Sequence, residues 1–274
     1  MVISEISGEK IIMIIDLTNK TAIVCGSTRG IGREIALQFA ASGANVILIA
    51  RNEEALRKVL RELNASKKQN HSFIVADFSE PEILKGKLQN FVSENPPVHI
   101  LVNNTGGPKS GEAYKAGTEE YINGFLNHIV CNQILVQALL DGMKKEKYGR
   151  IINIISTSVK QPIKNLGVSN TIRAAVASWA KTLSKELAPF GITVNNLLPG
   201  ATNTERLREL IKSRSETAGI SLDEAEKEWS ADIPAGRYAE PEELAYAAAF
   251  LASPLAGYIN GINLPVDGGR LNCL

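Results

Sequence analysis

Gly26, Gly30 and Gly32 are the first residues whose spacing suggests chemistry. They lie in the run TAIVCGSTRGIG, from Thr21 to Gly32. A short apolar run, Thr21 to Val24, precedes them, and an amphipathic stretch starts at Ile31. Glycines let a backbone approach a ligand closely and tolerate the φ angles of a tight turn. A helix that opens there presents free N–H groups and a positive dipole end, which suits a phosphate. The spacing is G-x-x-x-G-x-G rather than the commoner G-x-G-x-x-G. Such a turn also serves plain packing, so the rest of the chain must decide between the two.

Other polar residues stand where apolar runs end. Arg51 follows Val46–Ala50, and Asp77-Phe78 follows Ser72–Ala76. Asn104 follows His99–Asn103, Ser156 follows Ile151–Ile155, and Pro199-Gly200 closes Ile192–Leu198. Continuous apolar runs of this length suit strands buried on both faces of a parallel sheet. Between them lie helical patterns, such as Leu56, Val59, Leu60 and Leu63 at helical spacing. The alternation predicts an α/β, doubly wound architecture with helices on both faces. Ligands of such sheets bind at the carboxyl ends of the strands, which puts these residues on one rim. Pro265 cannot donate a ladder bond, so the last run, Gly261–Val266, belongs at an edge. No linker or repeat divides the chain, so residues 13–274 read as one domain. Residues 1–12 form an N-terminal extension, either an ordered arm or a flexible one.

Composition narrows the function. A net charge of +1 gives no reason to expect nucleic acid or a charged membrane surface. No apolar run approaches the roughly 18 residues of a membrane span. The histidines, His71, His99 and His128, lack metal-ligand spacing. Cys25, Cys131 and Cys273 form no CxxC pair, and free thiols in a reducing cytoplasm are their plain reading. The first dozen residues are too acidic and broken for a secretory signal.

From about Leu17 to Gly269 the chain resembles the short-chain dehydrogenase/reductase family. CGSTRGIG is similar to that family's TGxxxGIG, and NNTGG to its NNAG. GRIINIIS, residues 149–156, resembles its fifth strand and catalytic serine. VNNLLPG resembles the strand and Pro-Gly near the nicotinamide, and IPAGRYAEPEEL and ASPLAGYINGINLPVDGG resemble its C-terminal signature. The resemblance implies a Rossmann-type domain with a seven-stranded parallel sheet in the order 3-2-1-4-5-6-7. It also implies a homo-oligomer, tetramer or dimer, acting on a small molecule.

A nicotinamide cofactor follows from the same resemblance. Its binding set would be Gly26, Thr28, Arg29, Gly30, Ile31, Gly32, Arg51, Asp77, Phe78, Asn104, Gly106, Arg173, Pro199, Gly200 and Thr202. Members preferring NAD carry an acid after the second strand, and here that position is Arg51. A carboxylate repels a 2′-phosphate, whereas an arginine pairs with it. Arg29 offers a second cation, so NADP(H) is expected over NAD(H).

The reaction centre departs from the family's Asn-Ser-Tyr-Lys set. Ser156 fits the serine. The tyrosine position is Ser169 and the lysine position is Arg173, within SNTIR. The asparagine position falls at His128, with Asn127 adjacent. A serine hydroxyl is a far weaker acid than a phenol, and arginine cannot relay a proton. Loss of a positioned general acid typically costs about 10²–10⁴-fold in rate. His128 is the candidate substitute, because a histidine titrates near neutrality. Lys160 and Lys164 also lie within reach of this rim by sequence. NTGGPKSG and KQPIKNLGVSN, with the SxxxR run, resemble a divergent branch of the family similar to 3-oxoacyl-carrier-protein reductases.

Two readings follow. One is an NADP(H)-dependent oxidoreductase acting on a carbonyl or alcohol, with Ser156, Ser169, Arg173 and His128 as an altered catalytic set. The other is a nucleotide-binding protein without turnover. The charged segment 203–233 is the substrate lid in either.

Overall fold

The computed structural model describes residues 3–6, 9–12 and 14–273. The extension contains two short strands, β1 (Ile3–Ile6) and β2 (Glu9–Ile12), paired antiparallel as a separate two-stranded sheet. Sequence reading placed a strand entry at Met13, which lies outside the described residues. Residues 14–20 form no strand, and Leu17 is their buried anchor.

The main sheet contains β3 (Thr21–Cys25), β4 (Asn45–Ala50), β5 (Ser72–Val75), β6 (Ile100–Asn103), β7 (Gly149–Ile154), β8 (Ile192–Pro199) and β9 (Asn263–Val266). Its order is β5-β4-β3-β6-β7-β8-β9, every neighbour parallel. The seven-stranded order expected from the resemblance is therefore present, and Pro265 sits on the edge strand β9.

Successive strand residues point to opposite faces, and here each face has its own core. Ala22, Val24, Val46 and Leu48 pack under α1 (Gly30–Ala41), α2 (Glu53–Glu62) and α9 (Pro241–Ala252). Ile23, Cys25, Ile47 and Ile49 pack under α3 (Pro81–Glu94), α5 (Cys131–Glu146) and α6 (Gly167–Leu187). This two-sided burial is why the strands read as unbroken apolar runs.

Two features of the sheet bear on the site. The helical stretch over 118–146 is interrupted. It runs as α4 (Thr118–Phe125), then a π turn at Leu126–Val130, then α5. Such turns tend to mark functional sites, and this one carries His128. The second feature is a row of buried amides across four strands. Asn103 Nδ2 donates to Asn153 Oδ1 (2.8 Å), Asn153 Nδ2 to Asn196 Oδ1 (2.9 Å), and Asn196 Nδ2 to Asn263 Oδ1 (2.8 Å). Each pair is directly opposite in the strand register.

The segment after β8 forms α7 (Glu205–Ala218) and α8 (Leu222–Ala231) around a small core of Ala201, Leu207, Ile211, Ala225 and Ile233. The expected capping box is present: Ser221 Oγ accepts from the Glu224 N–H while Glu224 accepts from the Ser221 N–H.

Candidate active site

The glycine turn follows β3 and opens α1, as its sequence requires. Gly26 has φ +58° and Gly30 φ +53°, backbone that glycine adopts without strain. A Cβ at Gly26 would sit 2.7 Å from the Asn104 carbonyl oxygen, and one at Gly32 only 2.5 Å from Asn104 Nδ2. Asn104 Nδ2 donates to the carbonyls of Cys25 and Gly26, both at 3.2 Å. The Asn104 side chain thus clamps the end of β6 to the backbone of the turn. No side chain caps α1, and its first turn carries no acidic residue. Its leading N–H groups therefore face the turn without an internal acceptor, which fits a bound phosphate.

Arg51, at the end of β4, pairs with Asp77 at 3.8 Å, and both groups have solvent access. Asp77 also accepts the Ser79 N–H, as in a strand-end turn, and Phe78 is buried beside it. Arg29 reaches the other way and pairs with Glu205 on α7, tying the lid to the glycine turn. Thr204 caps α7 through its side chain and lies against Gly30. Thr202 is buried, its Oγ1 donating to the Gly200 carbonyl, and Gly200 passes close to Asp267. Each sequence-predicted binding residue from Gly26 to Thr202 lies at or just beyond the carboxyl end of a strand, except Arg173, which α6 brings in.

Ser156 follows β7 in extended backbone, and its Oγ accepts the Ser158 N–H at 3.1 Å. Ser169 and Arg173 lie one turn apart on α6, both buried. The Arg173 Nη1 donates to the Ile154 carbonyl at 2.9 Å, two residues before Ser156, and Nη2 makes a long contact of 3.5 Å to the Thr105 carbonyl. Arg173 makes no ion pair with a carboxylate among the described residues. Burial, and then the charge of Arg206, lowers its pKa to about 10, so the guanidinium stays charged at neutral pH.

His128 faces the same region, on the π turn. It shares a small polar cavity of about 10 Å³ with Asn103, Asn132, Asn153 and Arg173. The expectation that it titrates near neutrality is corrected. Burial first, and the neighbouring Arg173 second, hold its pKa well below the ordinary value, against a weaker opposing contact to the Gly106 backbone. It is a neutral imidazole at pH 7. His128 Nε2, Asn103 Oδ1 and the nearby Asn127 Oδ1 are buried with no partner among the described residues.

Among the described residues, neither Tyr114 nor Tyr148 stands beside Ser156. Tyr148 donates to the Ala252 carbonyl at the far end of the sheet, and Tyr114 stands out in solvent. Lys164 lines a larger cleft of about 630 Å³, bounded also by Lys109, Val168, Leu210, Arg214 and Trp229. The cleft lies between the lid and the loops after β6 and β7. The lid also touches the β6 loop through Ser110 and Ser213 (2.9 Å) and through Arg206, whose Nη2 donates to the Pro108 carbonyl at 2.7 Å.

Residues 26–270 match the family model described as enoyl-(acyl carrier protein) reductase. The chain belongs to the short-chain dehydrogenase/reductase family, one of oxidoreductases. It is 30% identical to the NADPH-dependent reductase BacG of Bacillus subtilis over 94% of this chain and 100% of that protein. It is 34% identical to the 3-oxoacyl-[acyl-carrier-protein] reductase FabG of Chlamydia trachomatis, over 92% and 98%. Among solved structures it is similar to YwfH, an NADPH-dependent reductase involved in bacilysin biosynthesis (TM-score 0.88, 29% identity, 94% of this chain and 100% of that one). It is equally similar to the L-sorbose reductase of Gluconobacter frateurii, complexed with NADPH and L-sorbose (TM-score 0.88, 29% identity, 96% and 100%). In this short-chain dehydrogenase/reductase, Gly26, Gly30 and Gly32 form the turn between β3 and α1, and Ser169 and Arg173 lie one turn apart on α6.

Sequence reasoning missed Asn132, Asn153, Glu205 and Arg206. The asparagines sit inside apolar-looking segments, and their convergence needs the strand register. Arg206 lay in a charged run where nothing distinguished it from solvated neighbours.

Proposed function

We propose that this protein is an NADPH-dependent reductase of a small carbonyl compound, possible substrates including oxoacyl compounds, with serine and a buried arginine where its family carries tyrosine and lysine. The observation that carries this reading is the uncapped glycine cradle of Gly26, Gly30 and Gly32 beside Ser156, Ser169 and Arg173 on one rim. The fit to a dinucleotide rests on that cradle, which a Cβ would fill. The bound nicotinamide would supply a hydride.

The chain's own residues then do the rest. Ser156 Oγ already accepts a backbone N–H, so its own O–H remains to donate to a substrate oxygen. Arg173 holds a fixed positive charge in a water-poor site, where it stabilises an oxyanion as it develops. Neither group gives up a proton readily, so the oxygen draws its proton from solvent through Ser156 or Ser169. Arg51 and Arg29 would grip the 2′-phosphate, exchanging Asp77 and Glu205 for it. Exposed ion pairs of this kind are worth little, so the exchange costs little. The NADPH dependence of BacG and the NADPH complex of L-sorbose reductase support the same preference. The family resemblance supports a homo-oligomer, which light scattering tests.

The deciding experiment is a carbonyl panel followed at the NADPH absorbance, on the wild type beside Ser169→Tyr/Arg173→Lys. We expect wild-type turnover, and a gain of about 10²-fold or more on simple ketones in the double variant. Failure of both NADPH and NADH to bind overturns the proposal. Tight NADPH binding with no turnover in either protein assigns a nucleotide-binding role without catalysis.

A further inference from the structure

Arg173 and Arg206 come from different elements, α6 and the lid helix α7, yet both point at Gly107. A Cβ at Gly107 would lie 3.6 Å from Arg173 Nη2 and 3.8 Å from Arg206 Nη2, with no other atom within 4 Å. A Cβ at the preceding Gly106 would meet nothing within 4 Å. The loop after β6 thus offers bare backbone and open space between two guanidiniums. Arg206 is partly balanced by Glu209 at 3.2 Å. Arg173 is buried and balanced by no carboxylate among the described residues. Two like charges held this close in a poorly solvated place repel each other, and the pKa of Arg173 is lowered by burial first and by that proximity second. The arrangement lacks a negative charge.

We propose that the substrate carries an anionic group, a carboxylate or a phosphate, which binds over Gly107 between Arg173 and Arg206. The inference rests on the reductase reading above and names its substrate class. A guanidinium fork suits such oxygens bidentately. The cofactor's own phosphates have their places elsewhere, at the uncapped start of α1 and beside Arg51. The adjoining cleft has the same sign. It starts at Lys109, two residues beyond Gly107, and reaches α7 again at Leu210. Its Lys115 and Arg214 are paired with Glu112 (2.5 Å) and Glu228 (2.9 Å). Lys109 and Lys164 make no ion pair among the described residues, so they leave the cleft attractive to an anion. Because Arg206 belongs to α7 and already reaches Pro108, an anion bound there ties substrate charge to the docking of this helix.

The test is thermal-shift and calorimetric binding of matched pairs to the full chain, with and without saturating NADPH. The pairs are pyruvate and phenylpyruvate against their methyl esters, and dihydroxyacetone phosphate against dihydroxyacetone. At least one anion should bind tenfold or more tighter than its neutral partner in the wild type. Arg206→Gln should erase that difference while leaving NADPH affinity unchanged. Whether the preferred anion is a carboxylate or a phosphate is read from which pair responds. Equal binding of charged and neutral members, absence of binding by all of them, or a preference that survives Arg206→Gln overturns the proposal. Loss of NADPH binding in the wild type would instead overturn the reductase reading, because the anion arm is measured without cofactor as well.

Discussion

Two buried arginines mark the two ends of β7, and they are held in opposite ways. At the start of the strand, Arg150 donates to the carbonyls of Gly149 (2.8 Å), Gly191 (3.3 Å) and Ser253 (3.3 Å). Its guanidinium also lies over the Tyr148 ring, 4.1 Å from the centroid. At the end of the strand, Arg173 has one good carbonyl contact, one long one, and a second arginine for company. Neither pairs with a carboxylate among the described residues. Burial of a charge is therefore not what separates structure from function here. The separation lies in how much of the donor capacity the fold itself uses.

That contrast breaks most visibly with Arg173→Met. Turnover should fall by about 10³-fold, roughly 4 kcal/mol of barrier. Stability in urea should stay within about 1 kcal/mol of wild type, because an apolar side chain of similar volume replaces a poorly satisfied buried charge without penalty. Arg150→Met should do the reverse. Three carbonyls lose their donor, so unfolding free energy should drop by about 2–3 kcal/mol, with NADPH affinity unchanged in fluorescence titration. A large loss of cofactor binding in Arg150→Met, or of stability in Arg173→Met, would erase the distinction.

Smaller effects sharpen it. Arg51→Ala should weaken NADPH about tenfold, about 1.4 kcal/mol, and leave NADH unchanged in the same titration. The histidines near the two arginines give the finest test. His99, near Arg150, is lowered by burial and by Lys20, with Glu146 opposing. His128 is lowered by burial and by Arg173. A histidine whose folded pKa is depressed contributes its full stability above the unfolded value near 6.5. That stability is lost as pH falls below it, down to the folded pKa, by up to about 1.4 kcal/mol per pH unit. His128→Gln should lessen the stability lost between about pH 6.5 and the carboxylate range in urea unfolding, leaving the share due to His99 in that window. In Arg173→Met the His128 resonances should titrate at higher pH than in wild type.

Much of the fold was readable because both faces of the sheet are covered. The run at Val46 had to be apolar throughout, and those at Ser72 and Ile151 nearly so, with Asn153 the buried exception. The cradle was readable for a similar reason: Gly32 lies against the Gly26 backbone, where no side chain fits. What could not be read was neutrality and convergence. His128 looks titratable in one dimension, and only its burial beside Arg173 shows otherwise. The interruption at Leu126–Val130 leaves no glycine or proline as a signal. Arg206 reaches Gly107 across a sequence distance that only the lid's docking closes. The SNTIR run, by contrast, was readable as helical, and α6 carries Ser169 and Arg173 one turn apart with Val176 and Ala180 on its buried side.

The row of amides from Asn103 to Asn263 has one further consequence. Its members share a single polarity, each passing a hydrogen to the next, so none can rotate without turning its neighbours. The outermost strand of the sheet is thereby wired to the wall of the reaction chamber. Removing the last acceptor with Asn263→Leu, on the edge strand, would leave Asn196 Nδ2 unpaired and free the row to turn as far as Asn103, making the periphery of this sheet a remote tuning point for its centre.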